Sequence, residues 1–224
     1  MIHQSKSYLK FLRTSKNQHG VHSPFVYDLV TRCFYDKQLD TSYELLKQFR
    51  KHVKRNPSKI TVTDFGSGSR RFKTNHRSVK NIVKWASIKP KRARLLNRLV
   101  RYFHAETILE LGTSVGLASA ALAAGNESST ITTVEGCPKT LAIAEANFDK
   151  FGFENINCVN SPFEGYLNTA TQAYDMVFLD GHHDEKATLQ YFERLIGLTH
   201  NDSVIILDDI YLNKGMTRAW ETIK

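Results

Sequence analysis

After residue 105, short apolar strands alternate with helical patterns, and this rhythm constrains the fold more than any other feature of the chain. Apolar runs at Thr107–Leu111, Thr130–Glu135, 155–160, 174–180 and 203–208 have the length and composition of strands. Between them, 117–124, Pro138–Phe151 and 186–196 carry apolar residues at helical spacing, such as Leu141, Ala144 and Phe148, then Leu189, Phe192 and Leu195. The stretch 163–173 has no clear pattern. Such alternation predicts an α/β fold: a Rossmann-like, mostly parallel sheet with right-handed crossovers and helices on both faces. Ligands of such sheets bind beyond the carboxyl ends of the strands, where strand order reverses. The polar residues that interrupt the apolar runs fall at those ends: Glu110, Glu135, Asn160, Asp180 and Asp208.

The first strand runs into a glycine turn and then a helix of small residues, ILELGTSVGLASAALAA. Gly112 permits the turn, and Gly116 lets a ligand and the helix approach without a Cβ between them. Glu135 follows Gly116 by 19 residues and ends the next strand. An acidic side chain there can accept hydrogen bonds from both hydroxyls of a ribose. The loop reads E-x-G-x-x-x-G, so it offers less backbone to a pyrophosphate than a dinucleotide loop does. Together with the charge of Glu110, this disfavours NAD and suits a ligand with a positive amino-acid end. A rival loop, Asp64-Phe-Gly-Ser-Gly-Ser69, follows the strand-like residues 60–65. Its continuation through Arg70, Arg71, Lys73 and Arg77 is a charged loop without the Lys-Ser or Lys-Thr of a P-loop. Residues 66–77 therefore read as a basic loop, either a lid over the ligand or a solvated surface loop.

Charge divides the chain. Residues 1–104 hold 24 Lys and Arg against 5 Asp and Glu, whereas 105–224 hold 7 against 17. The basic part either docks on the acidic part or receives an anionic substrate or nucleic acid. Its patterns are helical: 5–14 with Tyr8, Leu9, Phe11 and Leu12; a start at Ser23-Pro24; a capping-box start at Thr41 and Glu44; then 79–86 and 91–103. A basic, mainly helical extension (1–90) and a sheet domain (91–224) follow. The cysteines Cys33, Cys137 and Cys158 lack metal-ligand spacing, no run is long enough to span a bilayer, and no signal peptide is apparent, so a reducing cytoplasm fits best.

The segments ILELGTSVG, TTVEG, YDMVFLDGHH and VIILDDIY, in this order over roughly 91–224, resemble class I S-adenosylmethionine-dependent methyltransferases, nearest the O-methyltransferase branch with metal-dependent enzymes of the catechol type. The resemblance implies that Glu110, Gly112, Thr113 and Gly116 frame the methionine portion of S-adenosyl-L-methionine. Glu135 and Gly136 would hold the ribose, and Ser161 and Phe163 the adenine, with Asp180 completing the cofactor site. It also implies Asp180, Asp208 and Asp209 as ligands of Mg²⁺ or another divalent cation. The Asp-Gly-x-His pattern makes His183, with Asp180, the catalytic candidate; His183 would be the general base. Pro162 stands where the family has a hydrogen-bonding side chain. The family also ends in a strand hairpin for which no residues remain after the helix at 215–223, so the sequence reads as a fragment. The expected activity is O-methylation of a small molecule. RNA methylation through the basic extension and cofactor binding without catalysis are the alternatives, and a homodimer is left open.

Overall fold

The structure, a computed structural model, describes residues 2–66, 68, 72 and 74–224. Helix α1 (Ile2–Thr14) leads through a short 3-10 turn to α2 (Pro24–Asp28), whose start is capped by the Ser23 hydroxyl accepting the Val26 N–H. The chain continues as a π-helical turn, Leu29–Phe34, where a plain helix is expected. Arg98 donates to the carbonyls of Cys33 and Phe34, so groups that the wider turn leaves unpaired find a partner on another helix. Helix α3 (Thr41–Arg55) starts one residue earlier than its capping-box pattern suggests, because the Asp40 carboxylate accepts the Ser42 N–H. Strands β1 (Lys59–Thr61) and β2 (His76–Ser78) form a small antiparallel ladder. Helix α4 (Val79–Trp85) completes the extension, and α5 (Pro90–Phe103) leads into the sheet domain. The proposed lid 66–77 falls in part on residues 67, 69–71 and 73, which lie outside the described residues.

The second part is β3 (Thr107–Leu111), α6 (Leu117–Ala123), β4 (Thr130–Glu135), α7 (Pro138–Phe151), β5 (Ile156–Asn160), α8 (Phe163–Thr169), β6 (Tyr174–Leu179), α9 (Glu185–Ile196), β7 (Thr199–Leu207) and α10 (Lys214–Ile223). Its five strands are all parallel, in the order β5-β4-β3-β6-β7. The unpatterned stretch after β5 forms α8 around a single buried apolar residue, Leu167, too few to show a period.

One of the two hydrophobic cores runs through both parts. Phe49 and Val53 of α3 and Val79, Ile82 and Val83 of α4 cluster with Ile108 of β3, Leu122 of α6 and Phe148 of α7. Phe49 is fully buried, with ring centroids 6.1 Å from Phe148, 5.1 Å from Phe151 and 5.7 Å from Phe153. The extension and the sheet thus meet through apolar packing as well as opposite charge. The second core lies on the other face, built from Leu109, Leu111, Val134, Val177 and Leu195.

Candidate active site

Strand order reverses between β3 and β6, so a crevice opens beyond their carboxyl ends. The 112–116 loop lies at this point. Gly112 has φ 120°, and a Cβ on it would stand 2.2 Å from the Asp180 carbonyl oxygen, so the β3 and β6 ends touch backbone to backbone. At Gly116 (φ 83°) a Cβ would meet the Phe148 ring at 2.6 Å.

Glu135 reaches across to this loop. One carboxylate oxygen accepts the Ser114 N–H and the other the Cys137 N–H, each at 2.8 Å. Burial raises its pKa against these hydrogen bonds. The carboxylate is fixed, partly exposed, and keeps lone pairs for a ligand diol. Glu110 sits deeper and is fully buried. Its Oε2 accepts the hydroxyls of Ser119 and Thr133, and Thr133 also contacts the Thr113 hydroxyl at 2.6 Å. Glu110 Oε1 is buried with no hydrogen-bond partner among the described residues. Burial pushes its pKa up to about 7. Ser119 and Thr133 are not singled out by the sequence, because hydroxyls inside apolar runs look like filler.

Asp180, Asp208, Asp209 and His183 converge at the ends of β6 and β7. Burial, then the neighbouring charges of Asp208 and Asp209, hold the Asp180 carboxyl well above the usual carboxylate range. His183 Nε2 lies 3.8 Å from Asp180 Oδ1 and 3.9 Å from Asp209 Oδ2. Asp208 is engaged elsewhere: Arg92 of α5 donates to it at 3.1 Å, and it accepts the Asp209 N–H at 2.7 Å. Among the described residues no group of three His, Cys, Asp or Glu side chains is arranged to hold a metal ion. The expected Mg²⁺ set is thus gathered at one end of the sheet without forming a coordination shell. His182 contacts the Tyr191 hydroxyl at 3.0 Å, and burial lowers its pKa. Ser114, His182, His183 and Asp209 all have positive φ, and such backbone conformations concentrate where function holds them.

Ser161 donates to the Pro162 carbonyl, and its own N–H reaches the Glu135 carbonyl. Phe163 lies over Gly181, where a Cβ would meet the ring at 2.6 Å. The opposite flank holds the segment whose sequence reads as a rival loop. Residues 62–66 cross from the end of β4 to the turn after β6. The Thr63 N–H donates to Cys137 Sγ, Phe65 covers Gly136, Gly66 abuts the His182 backbone, and Asp64 pairs with the buried Arg77 at 3.0 Å. The D-F-G triplet is visible in the sequence, but its position over Gly136 and the His182 backbone is not.

A glycine turn, a strand-end carboxylate held by backbone N–H groups and a buried carboxylate oxygen with no partner among the described residues thus gather at the carboxyl ends of the strands. Residues 109–210 match the family model of a methyltransferase domain. A catechol O-methyltransferase of Niastella koreensis is 25% identical over 130 residues, which are 55% of this chain and 58% of that protein, so the chain spans little more than half of this curated relative. Among solved structures, an SAH-bound methyltransferase of Podospora anserina superposes with TM-score 0.61 at 16% identity, over 93% of this chain and 87% of that one. An O-methyltransferase of Bacillus cereus in complex with SAH gives 0.56 at 20%, over 88% and 84%. The strand order and the site define a class I S-adenosylmethionine-dependent methyltransferase fold. Within the chain, residues 109–210 are similar to that methyltransferase domain, and the superpositions show the shared fold.

Proposed function

We propose that this protein transfers the methyl group of S-adenosylmethionine to an oxygen atom of a small molecule. The observation that carries the reading is the placement of His183 between Asp180 and Asp209, at the same strand-end crevice that Glu135 and the Gly112 loop open. The bound cofactor supplies an electrophilic methyl on a sulfonium. Glu135 binds the ribose diol, and the Gly112–Gly116 loop borders the amino-acid end. His183 Nε2 accepts the proton of the acceptor hydroxyl, and the carboxylates of Asp180 and Asp209 stabilise the resulting imidazolium. Asp208 is already committed to Arg92, so the proton transfer rests on His183 and its two carboxylates.

A small acceptor is favoured over RNA because the Niastella relative is named for a small molecule, catechol. The catechol named for the Niastella relative supports an aromatic hydroxyl as the first acceptor to try. His183→Ala is expected to lower turnover on a phenol and catechol panel by about 10²–10⁴-fold, the usual contribution of a general base. Its affinity for S-adenosylhomocysteine, measured by calorimetry, should stay within about twofold of wild type. Unchanged turnover would remove His183 from the role.

A further inference from the structure

The strap at residues 62–66 belongs to the basic extension, yet it lies on the crevice of the sheet domain. The residue after Glu135 is Gly136, so β4 offers no side chain to wall the pocket beside the ribose carboxylate. The place a Cβ would take is filled from the other part of the chain: Phe65 Cε2 and Cδ2 stand 2.6 and 2.7 Å from that position. The ring therefore lies directly on the Gly136 backbone. Phe65 is nonetheless 48% exposed, so half of this large apolar side chain remains open beside a carboxylate suited to a ribose. Its position is fixed from both sides. Before it, the Thr63 N–H bonds to Cys137 Sγ at 3.3 Å and Asp64 is held by Arg77. After it, Gly66 packs so tightly on His182 that a Cβ would lie 2.6 Å from the His182 carbonyl oxygen.

We infer that Phe65 is a cofactor-binding residue, and that its exposed face is the stacking surface for the purine of the nucleoside whose ribose Glu135 holds. The inference rests on the reading of the crevice as an S-adenosylmethionine site. An aromatic ring held against backbone on one face and open on the other is what a base stacks on, since every base has a π-face and the contact needs no hydrogen-bond match. The extension then completes the cofactor site.

The test is calorimetric titration of the full chain with S-adenosylhomocysteine. Phe65→Ala should weaken binding about tenfold or more, and Phe65→Trp should restore it, with the indole emission changing on titration with adenosine alone. Gly136→Ala, which drives a Cβ into the ring, should weaken binding as Phe65→Ala does, with thermal unfolding confirming that both variants fold. Wild-type affinity in Phe65→Ala would overturn the stacking role and leave the cofactor assignment standing. Tighter binding would also overturn it, marking the ring as a plug. Failure of the wild-type protein to bind S-adenosylhomocysteine would remove the cofactor reading and this inference with it.

Discussion

Asp175 and Asp180 lie five residues apart at opposite ends of β6, and their carboxyl groups are shifted in opposite directions. Burial pushes Asp175 up, but the N–H groups of Thr107 and Glu106, the Thr107 hydroxyl and His200 Nε2 donate to it and hold it at about 2. At the other end, burial pushes Asp180 up, Asp208, Asp209 and Glu110 push the same way, and Arg92 opposes them without reversing the direction. One strand thus joins an end where hydrogen bonds tie β3, β6 and β7 together to an end where acidic groups crowd around a buried carboxyl. The difference between the ends is the supply of donors. A surplus of acceptors is costly for stability and useful to a site that must take in a cationic ligand and a proton.

The comparison predicts opposite pH slopes. For Glu110, on the crowded side, the folded pKa of about 7 exceeds its ordinary value of 4.5, so the folded state holds the proton longer than the unfolded chain does. In the cofactor-free protein, stability contributed by this group is full below about pH 4.5 and falls as pH rises through 7. Glu110→Gln should abolish that slope and stabilise the protein at pH 8 by on the order of 3 kcal/mol; denaturant melts at several pH values check it, and an unchanged slope would place the proton elsewhere. For Asp175 the sign reverses: its stabilisation is present above about pH 4 and is lost as pH falls toward 2. Asp175→Ala should cost about 2 kcal/mol at neutral pH by stranding the Thr107 and Glu106 N–H groups, with S-adenosylhomocysteine affinity retained while the protein is folded. The smallest effect belongs to Asp180→Asn, which removes one of three crowded charges. It should leave stability unchanged or raise it by up to about 1 kcal/mol while turnover is lost. A destabilised Asp180→Asn would end the claim that this end is strained by its charges.

The sheet is legible because buried parallel strands are continuous apolar runs bounded by polar ends, and Thr107–Leu111 and Thr130–Glu135 lie where their composition puts them. Glu135 and the Asp180–His183 turn are legible for the same reason: a polar residue that closes a buried apolar run must sit where the strand reaches water or a ligand. What stays hidden depends on three dimensions. Gly116 looks like a ligand-facing glycine, and nothing near it in the sequence shows that a Cβ there would meet Phe148, 32 residues later. Arg92 looks like one more solvated cation of a basic helix, yet it engages Asp208 on the last strand. Phe65 follows an acid and precedes two glycines, a pattern that suggests a second nucleotide loop rather than a strap over Gly136.

The stacking of Phe49 on Phe148, Phe151 and Phe153 has a consequence for synthesis at the ribosome. The apolar face of α3 emerges about a hundred residues before the rings that cover it. At roughly 5–20 residues per second it waits about 5–20 seconds without its partners. For that interval the nascent chain is a strongly basic, helix-forming segment with an open aromatic face, a ready client for chaperones and, until α7 arrives, its own main hazard.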